Sequence, residues 1–180
     1  MMDNHKKWFI IAIILILIGF TYRFIPHPPN FSPLMAITIF SSFVLSKKIN
    51  KYFSFSIPLI ILFISDLIIG FSIINLFVYI GFLISSLLSY IYSLKVQKNI
   101  IIHSNLSGLI NNTVFFIISN FGVWIFTNMY SKTWQGLIEC YYNAIPFFKN
   151  SVLSTLIFTT IIFLIYPLLE MEKREQYDSR

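Results

Sequence analysis

The sequence predicts an all-α, polytopic membrane helix bundle: about six transmembrane helices in a single integral membrane domain covering residues 1–180. Three observations carry that prediction. The chain is 57% hydrophobic and only 11% charged, where a soluble domain carries roughly 25% charged residues, and its mean hydropathy is +0.77. Apolar runs recur at lengths close to the roughly 20 residues that a spanning helix needs. Basic residues stand between those runs instead of forming a face on any of them. The length suits one bundle and leaves no room for a second domain.

Six segments follow in order. The first runs Trp8–Ile25. Its basic start resembles a signal peptide, but the run is long for a signal core and continues Arg23-Phe-Ile-Pro-His with no small-residue cleavage site, so it reads as a retained helix. The second, Phe31–Ser46, is short and preceded by four prolines within Pro26–Pro33, which forbid regular helix there. The third, Tyr52–Phe71, and the fourth, Ile73–Leu94, are joined by a tight turn at Gly70 to Ile73. The fifth is Leu106–Thr127 and the sixth Val152–Leu169, followed by a tail over residues 170–180. Between the last two lies the longest connection, Asn128–Asn150, rich in Tyr130, Trp134, Tyr141, Tyr142, Phe147 and Phe148. Aromatics of this density suit a membrane interface or the cap of a cavity.

The net charge of +6 is informative through its distribution. Ten of 13 basic residues fall at Lys6 and Lys7, at Lys47 to Lys51, at Lys95 and Lys98, and in the tail (Lys173, Arg174, Arg180). Only Arg23, Lys132 and Lys149 fall elsewhere. The positive-inside rule then predicts an even number of spans in a cell (inner) membrane with both termini cytoplasmic. Nucleic-acid binding is excluded, because no basic face with stacking or groove-reaching residues exists.

Polar residues at membrane depth are the informative ones. Asp66 lies fourteen residues beyond Tyr52, roughly 20 Å from the inner surface at 1.5 Å per residue, in the outer half. Asn120 lies fourteen residues beyond Leu106 and shares that depth, with Arg23 within reach from above. Asp66 reads either as a functional group or as half of a buried ion pair with Arg23 that fixes packing. Thr113, Asn120, Trp124 and Thr127 share one helical face. Gly108, Asn112, Ser119 and Gly122 form an adjacent one, suited to close helix approach or interhelical bonding. His27 reads as a loop residue, and lone Cys140 as a small apolar residue, although a thiolate can ligate soft metals. No disulfide can form within the chain. The sequence contains no His-Glu-x-x-His pair, no Gly-x-Ser-x-Gly turn, no second intramembrane carboxylate and no nucleotide loop, so no enzyme and no cofactor is expected.

Four stretches carry a resemblance: Pro28 to Phe40, Ser65 to Gly70, Ser119 to Trp124, and Gly136 to Phe148. Together they resemble a bacterial membrane family of unknown function whose members are described as putative transport proteins. That family is in turn similar to the substrate-binding (S) components of energy-coupling-factor vitamin transporters, six-helix proteins with a cavity near the outer surface. The resemblance implies uptake of a small vitamin-like or metal-containing solute, and an energising partner module. The residues and the resemblance together give a candidate binding set of Arg23, Asn30, Asp66, Asn120, Trp124, Cys140 and Tyr141, with Asn128–Asn150 as lid. Partner-facing small residues would be Ala36, Ser41 and Ser42, or Ser85, Ser86 and Ser89. One departure stands out: where the family reads Gly-Asp-Leu after Ala-Ile-Pro-Phe-Phe, this chain has Ser154-Thr155-Leu156. The alternative reading is a non-transporting assembly factor or partner subunit whose polar residues only pack helices.

Overall fold

The computed structural model describes residues 4–178, with side chains described for residues 5–170. Every regular element among them is helical: α1 (Asn4–Tyr22), α2 (Leu34–Phe40), a π-helical segment (Ser41–Leu45), α3 (Ser46–Lys48), α4 (Lys51–Ile69), α5 (Ile73–Ser93), α6 (Ile100–Phe126) and α7 (Trp134–Asp178). Helix breaks fall where local chemistry demands them. The prolines between Pro26 and Pro33 keep the chain non-helical after α1. Asn50 caps α4 by accepting the Tyr52 N–H at 2.8 Å. Gly70, at φ 108°, ends α4 in a conformation that L side chains rarely adopt. Two residues later Ser72 opens α5 through a reciprocal cap with Asn75.

Five helices, α1 and α4 to α7, are long and apolar enough to cross a membrane. The second predicted span, Phe31–Ser46, differs from these five in being broken and buried. It consists of contiguous pieces of seven, five and three residues, about 22 Å in all, and with the proline-rich segment before it carries the chain from the Arg23 end of the bundle back to Lys47 and Lys48. Every residue from Leu34 to Leu45 is buried. This broken helix is the axis of the bundle, and α1, α4, α5, α6 and α7 all pack against it. Lipid tails and a protein interior are about equally apolar to a leucine, so hydropathy cannot tell an axial helix from a lipid-facing one.

The connection Asn128–Asn150 is a correction. It is not a loop: α7 begins at Trp134, and the predicted last span, Val152–Leu169, is its continuation. Thr133 Oγ1 accepts the Gly136 N–H at 3.2 Å. Gln135, Glu139 and Asn143 follow at four-residue spacing with Asn150 seven later, a helical stripe in which Gln135 Nε2 donates to Glu139 at 3.2 Å.

Packing relies on small and polar residues where helices touch, since lipid removes most of the hydrophobic drive between them. Along α6 and α7, Asn105 Nδ2 donates to Thr160 Oγ1 at 3.0 Å, and Ser151 Oγ donates to Asn112 Oδ1. Gly108 approaches Thr155 so closely that a Cβ there would lie 2.8 Å from Thr155 Cγ2, and one at Gly122 would overlap the Phe77 ring. Leu17, Ile68, Leu76 and Leu164, more than half exposed, face outward to lipid. Ala36, Ser41, Ser42, Ser85, Ser86 and Ser89 are all buried within the chain. The small-residue faces expected to meet a partner module are therefore occupied by the protein's own helices.

One end of the bundle collects the lysines. Lys7 Nζ donates to the Leu169 carbonyl at 2.7 Å, Lys47 Nζ to the Ser93 carbonyl at 3.1 Å, and Lys48 pairs with Glu170 at 2.6 Å. Arg23 and Lys132 lie at the opposite end, where Lys132 donates to the Trp124 and Thr127 carbonyls that end α6. Lys173, Arg174 and Arg180 of the tail lie outside the described side chains.

Gly122→Val is expected to lower the thermal midpoint of the detergent-solubilised protein, since overpacking costs about 1–3 kcal/mol. Leu76→Val, on the lipid face, is expected to stay within about 0.5 kcal/mol of the parent. Equal midpoints for the two variants would contradict the α5–α6 approach described above.

Candidate functional site

Two polar constellations occupy the half of the bundle away from the lysines. The first is centred on Asp66, whose residue is 1% exposed. Arg23 Nη2 donates to its Oδ1 at 2.7 Å. Asn75 Nδ2 and Tyr79 Oη donate to Oδ2 at 2.6 and 2.5 Å. The local sequence builds this arrangement: the Gly70 turn and the Ser72–Asn75 cap fold the start of α5 back over α4, and Tyr79 follows Asn75 one helical turn on. Asn75 serves twice, its Oδ1 accepting the Ser72 N–H at 3.2 Å while its Nδ2 reaches the carboxylate. A buried carboxylate with three donors, one of them cationic, is electrostatically complete. The Arg23–Asp66 ion pair that the sequence offered is formed, and it ties α4 and α5 to the segment that follows α1.

The second constellation is a cavity of about 370 Å³ between α5, α6, α7 and the proline-rich segment. Asn30, Asn120 and Asn143 line it together with Asn112, whose own amide is engaged within the protein, Nδ2 donating to the Gly108 carbonyl at 2.8 Å and Oδ1 accepting from Ser151. Phe115, Phe116, Phe147 and Phe148 supply the apolar wall, and the Phe116 and Phe148 rings stand 4.8 Å apart. Its lining includes no Asp, Glu, Lys, Arg or His among the described residues. Asn150 Nδ2 holds the Pro29 carbonyl at 3.1 Å, fixing the loop that carries Asn30, which sits at φ 62°. Asn120 Nδ2 donates to the Phe116 carbonyl one turn back at 2.8 Å, which leaves its Oδ1 for the cavity. Asn143 Nδ2 reaches Tyr130 Oη at 3.5 Å.

The predicted residues therefore divide. Asn30, Asn120 and Cys140 line the cavity. Arg23 and Asp66 form the ion pair beside it. Trp124 and Tyr141 make other bonds: Trp124 Nε1 to the Ser131 carbonyl at 2.9 Å, and Tyr141 Oη across to the Ile117 carbonyl at 2.7 Å. Thr113, predicted to share a face with Asn120, is exposed and bonded to its own helix. Sequence reasoning missed Asn143, whose signal was the four-residue stripe from Gln135. It also read Asn112 only as packing, although Asn112 forms part of the cavity wall. The Cys140 thiol donates to the Asn120 carbonyl at 3.5 Å, and among the described residues no group of three His, Cys, Asp or Glu side chains comes together. The arrangement can thus enclose a small uncharged molecule against phenyl rings and bond its polar edge; among the described residues that line it, no nucleophile–base pair comes together.

Asp66→Leu is expected to destabilise the fold by about 3–5 kcal/mol, because it strands the Arg23 charge in a largely buried site. Arg23→Met combined with Asp66→Leu is expected to recover most of that loss. Chemical unfolding of the purified single and double variants checks this, and additive losses would contradict the pairing.

No curated protein and no solved structure matches the chain. The chain belongs to a family of unknown function, DUF6580, whose sequence model matches residues 2–177.

Proposed function

We propose that this membrane protein binds a small, uncharged, ring-bearing solute in the cavity and serves its uptake. The observation that carries this reading is the lining itself, carboxamides facing phenylalanines with no charged side chain among them. A charged ligand would leave its charge without a partner in a site of low dielectric, at a cost of several kcal/mol. An uncharged one satisfies the free amide groups and stacks on the rings. The volume of about 370 Å³ is near the lower end of the 300–1,000 Å³ typical of small-molecule sites. That size and the single sulfur favour an organic solute over a large metal-bearing one.

Orientation follows from charge. With the lysine-rich end in the cytoplasm, the cavity opens toward the outer face, where an uptake protein meets its solute. An S-component-like role, which the sequence motifs suggest, would suit this orientation, and an energising partner would then engage a surface other than the buried small-residue faces. The competing reading, an assembly factor or partner subunit, draws its support from the exposed turn carrying Lys95 and Lys98.

Native mass spectrometry of the purified protein, from cells grown in a mixture of vitamins, is the direct test. A stoichiometric uncharged small molecule is expected with the parent. Asn120→Leu and Phe116→Ala are each expected to weaken its retention by about tenfold or more, from a lost hydrogen bond and a lost stacking contact. A parent protein that is reproducibly empty would overturn solute binding in favour of the partner-subunit reading.

A further inference from the structure

Beneath the cavity the bundle holds a set of polar side chains that the binding reading does not use. Ser41, Ser42, Ser85, Asn111, Thr155 and Thr159 are each 0–1% exposed. Each has a side-chain oxygen with no hydrogen-bond partner in the protein. Serines and threonines inside helices ordinarily bond the carbonyl one turn back, as Thr38, Ser65 and Ser86 do here. These five hydroxyls do not.

Packing sets them at neighbouring depths. Asn111 Nδ2 donates to Ser89 Oγ at 2.6 Å, and Ser89 Oγ lies 3.1 Å from Ser107 Oγ, which aligns α5 with α6. Gly108 abuts both Thr155 on α7 and Ile39 on α2, and Ile39 precedes Ser41 by two residues. Ser85 is one turn from Ser89, and Thr159 one turn from Thr155. Above them, Asn112 and Ser151 belong to the cavity lining, one residue from Asn111 and one turn from Thr155. Below them, Ser93 accepts Lys47 Nζ through its carbonyl at the lysine-rich end. Polar groups therefore run from the cavity floor to the opposite end of the bundle. The π-helical segment Ser41–Leu45 lies in their midst, carrying two of the unpartnered hydroxyls. Segments of this kind inside α-helices concentrate at functional sites.

We propose that this column is a water-bearing passage, closed in the present conformation, that continues the cavity toward the lysine-rich end and is gated by the π-helical segment. Water is the ligand that can supply each orphaned oxygen with a partner. With no charged side chain between the cavity floor and Lys47 among these groups, the passage suits neutral polar solutes and not ions. Its role in transport rests on the solute-binding reading; its hydration does not.

The test places single cysteines at Ser85 and Thr155 in a Cys140→Ser background, with Leu164→Cys as a lipid-facing control. Each protein is reconstituted in vesicles and treated with a small water-soluble methanethiosulfonate. Loss of free thiol is expected at positions 85 and 155, with none at 164. Unreacted thiols in variants that melt like their parent would mark a dry packing seam and overturn the proposal. A second arm needs no cysteine: Thr155→Val removes a hydroxyl with little change of shape. A lowered melting temperature is expected if water bridges that hydroxyl, whereas a raised one means it was dry and overturns the passage. Labelling in a protein that never carries solute would keep the passage and remove the binding reading. Solute retention without labelling would do the reverse.

Discussion

The carboxylate of Asp66 is the constraint around which the rest of the half away from the lysines is arranged. An ionised group at that depth is tolerable only when its oxygens are engaged, and here Arg23, Asn75 and Tyr79 engage both. Satisfying it fixes where the chain leaving α1 must pass, how tightly α4 turns into α5, and which face α5 shows to the interior. With α5 fixed, Val78 and Gly81 meet α6, and the wall of the cavity on that side is determined. The charge thus holds the frame of the cavity without lining it.

That separation has a chemical consequence. Because the charge is neutralised beside the cavity, the cavity itself is uncharged, and a solute bound there as proposed would be selected by amide direction and ring stacking. Neutral groups of this kind discriminate by shape and hydrogen-bond pattern, and they do not draw ions into the bundle. The same economy of charge extends inward, where serines, threonines and asparagines join the helices down to the lysines.

Much of the architecture was legible in the residues. Pro26 to Pro33 and Gly70 end helices for reasons that operate within a few residues, and the structure breaks there. Arg23 and Asp66 could be paired from depth alone, because rise per residue converts position into height. Two features were not legible. Phe31–Ser46 has the composition of a span, and only its surroundings make it an axis. The segment from Trp134 looked like a loop because its aromatics drew attention from the Gln135, Glu139 and Asn143 stripe, whose four-residue spacing encodes a helix.

Sequence by itself determined that this is a membrane helix bundle, where its helices stop, and at what height its polar residues lie, since these follow from local dihedral preference, solvation and helical rise. Tertiary structure alone decided azimuth: which residues at a given height face one another. Asn120 and Asp66 share a depth, yet one lines a cavity and the other closes an ion pair, because the rotation of each helix is set by its neighbours' side chains. Asn30 and Asn143, more than a hundred residues apart, meet at that cavity for the same reason.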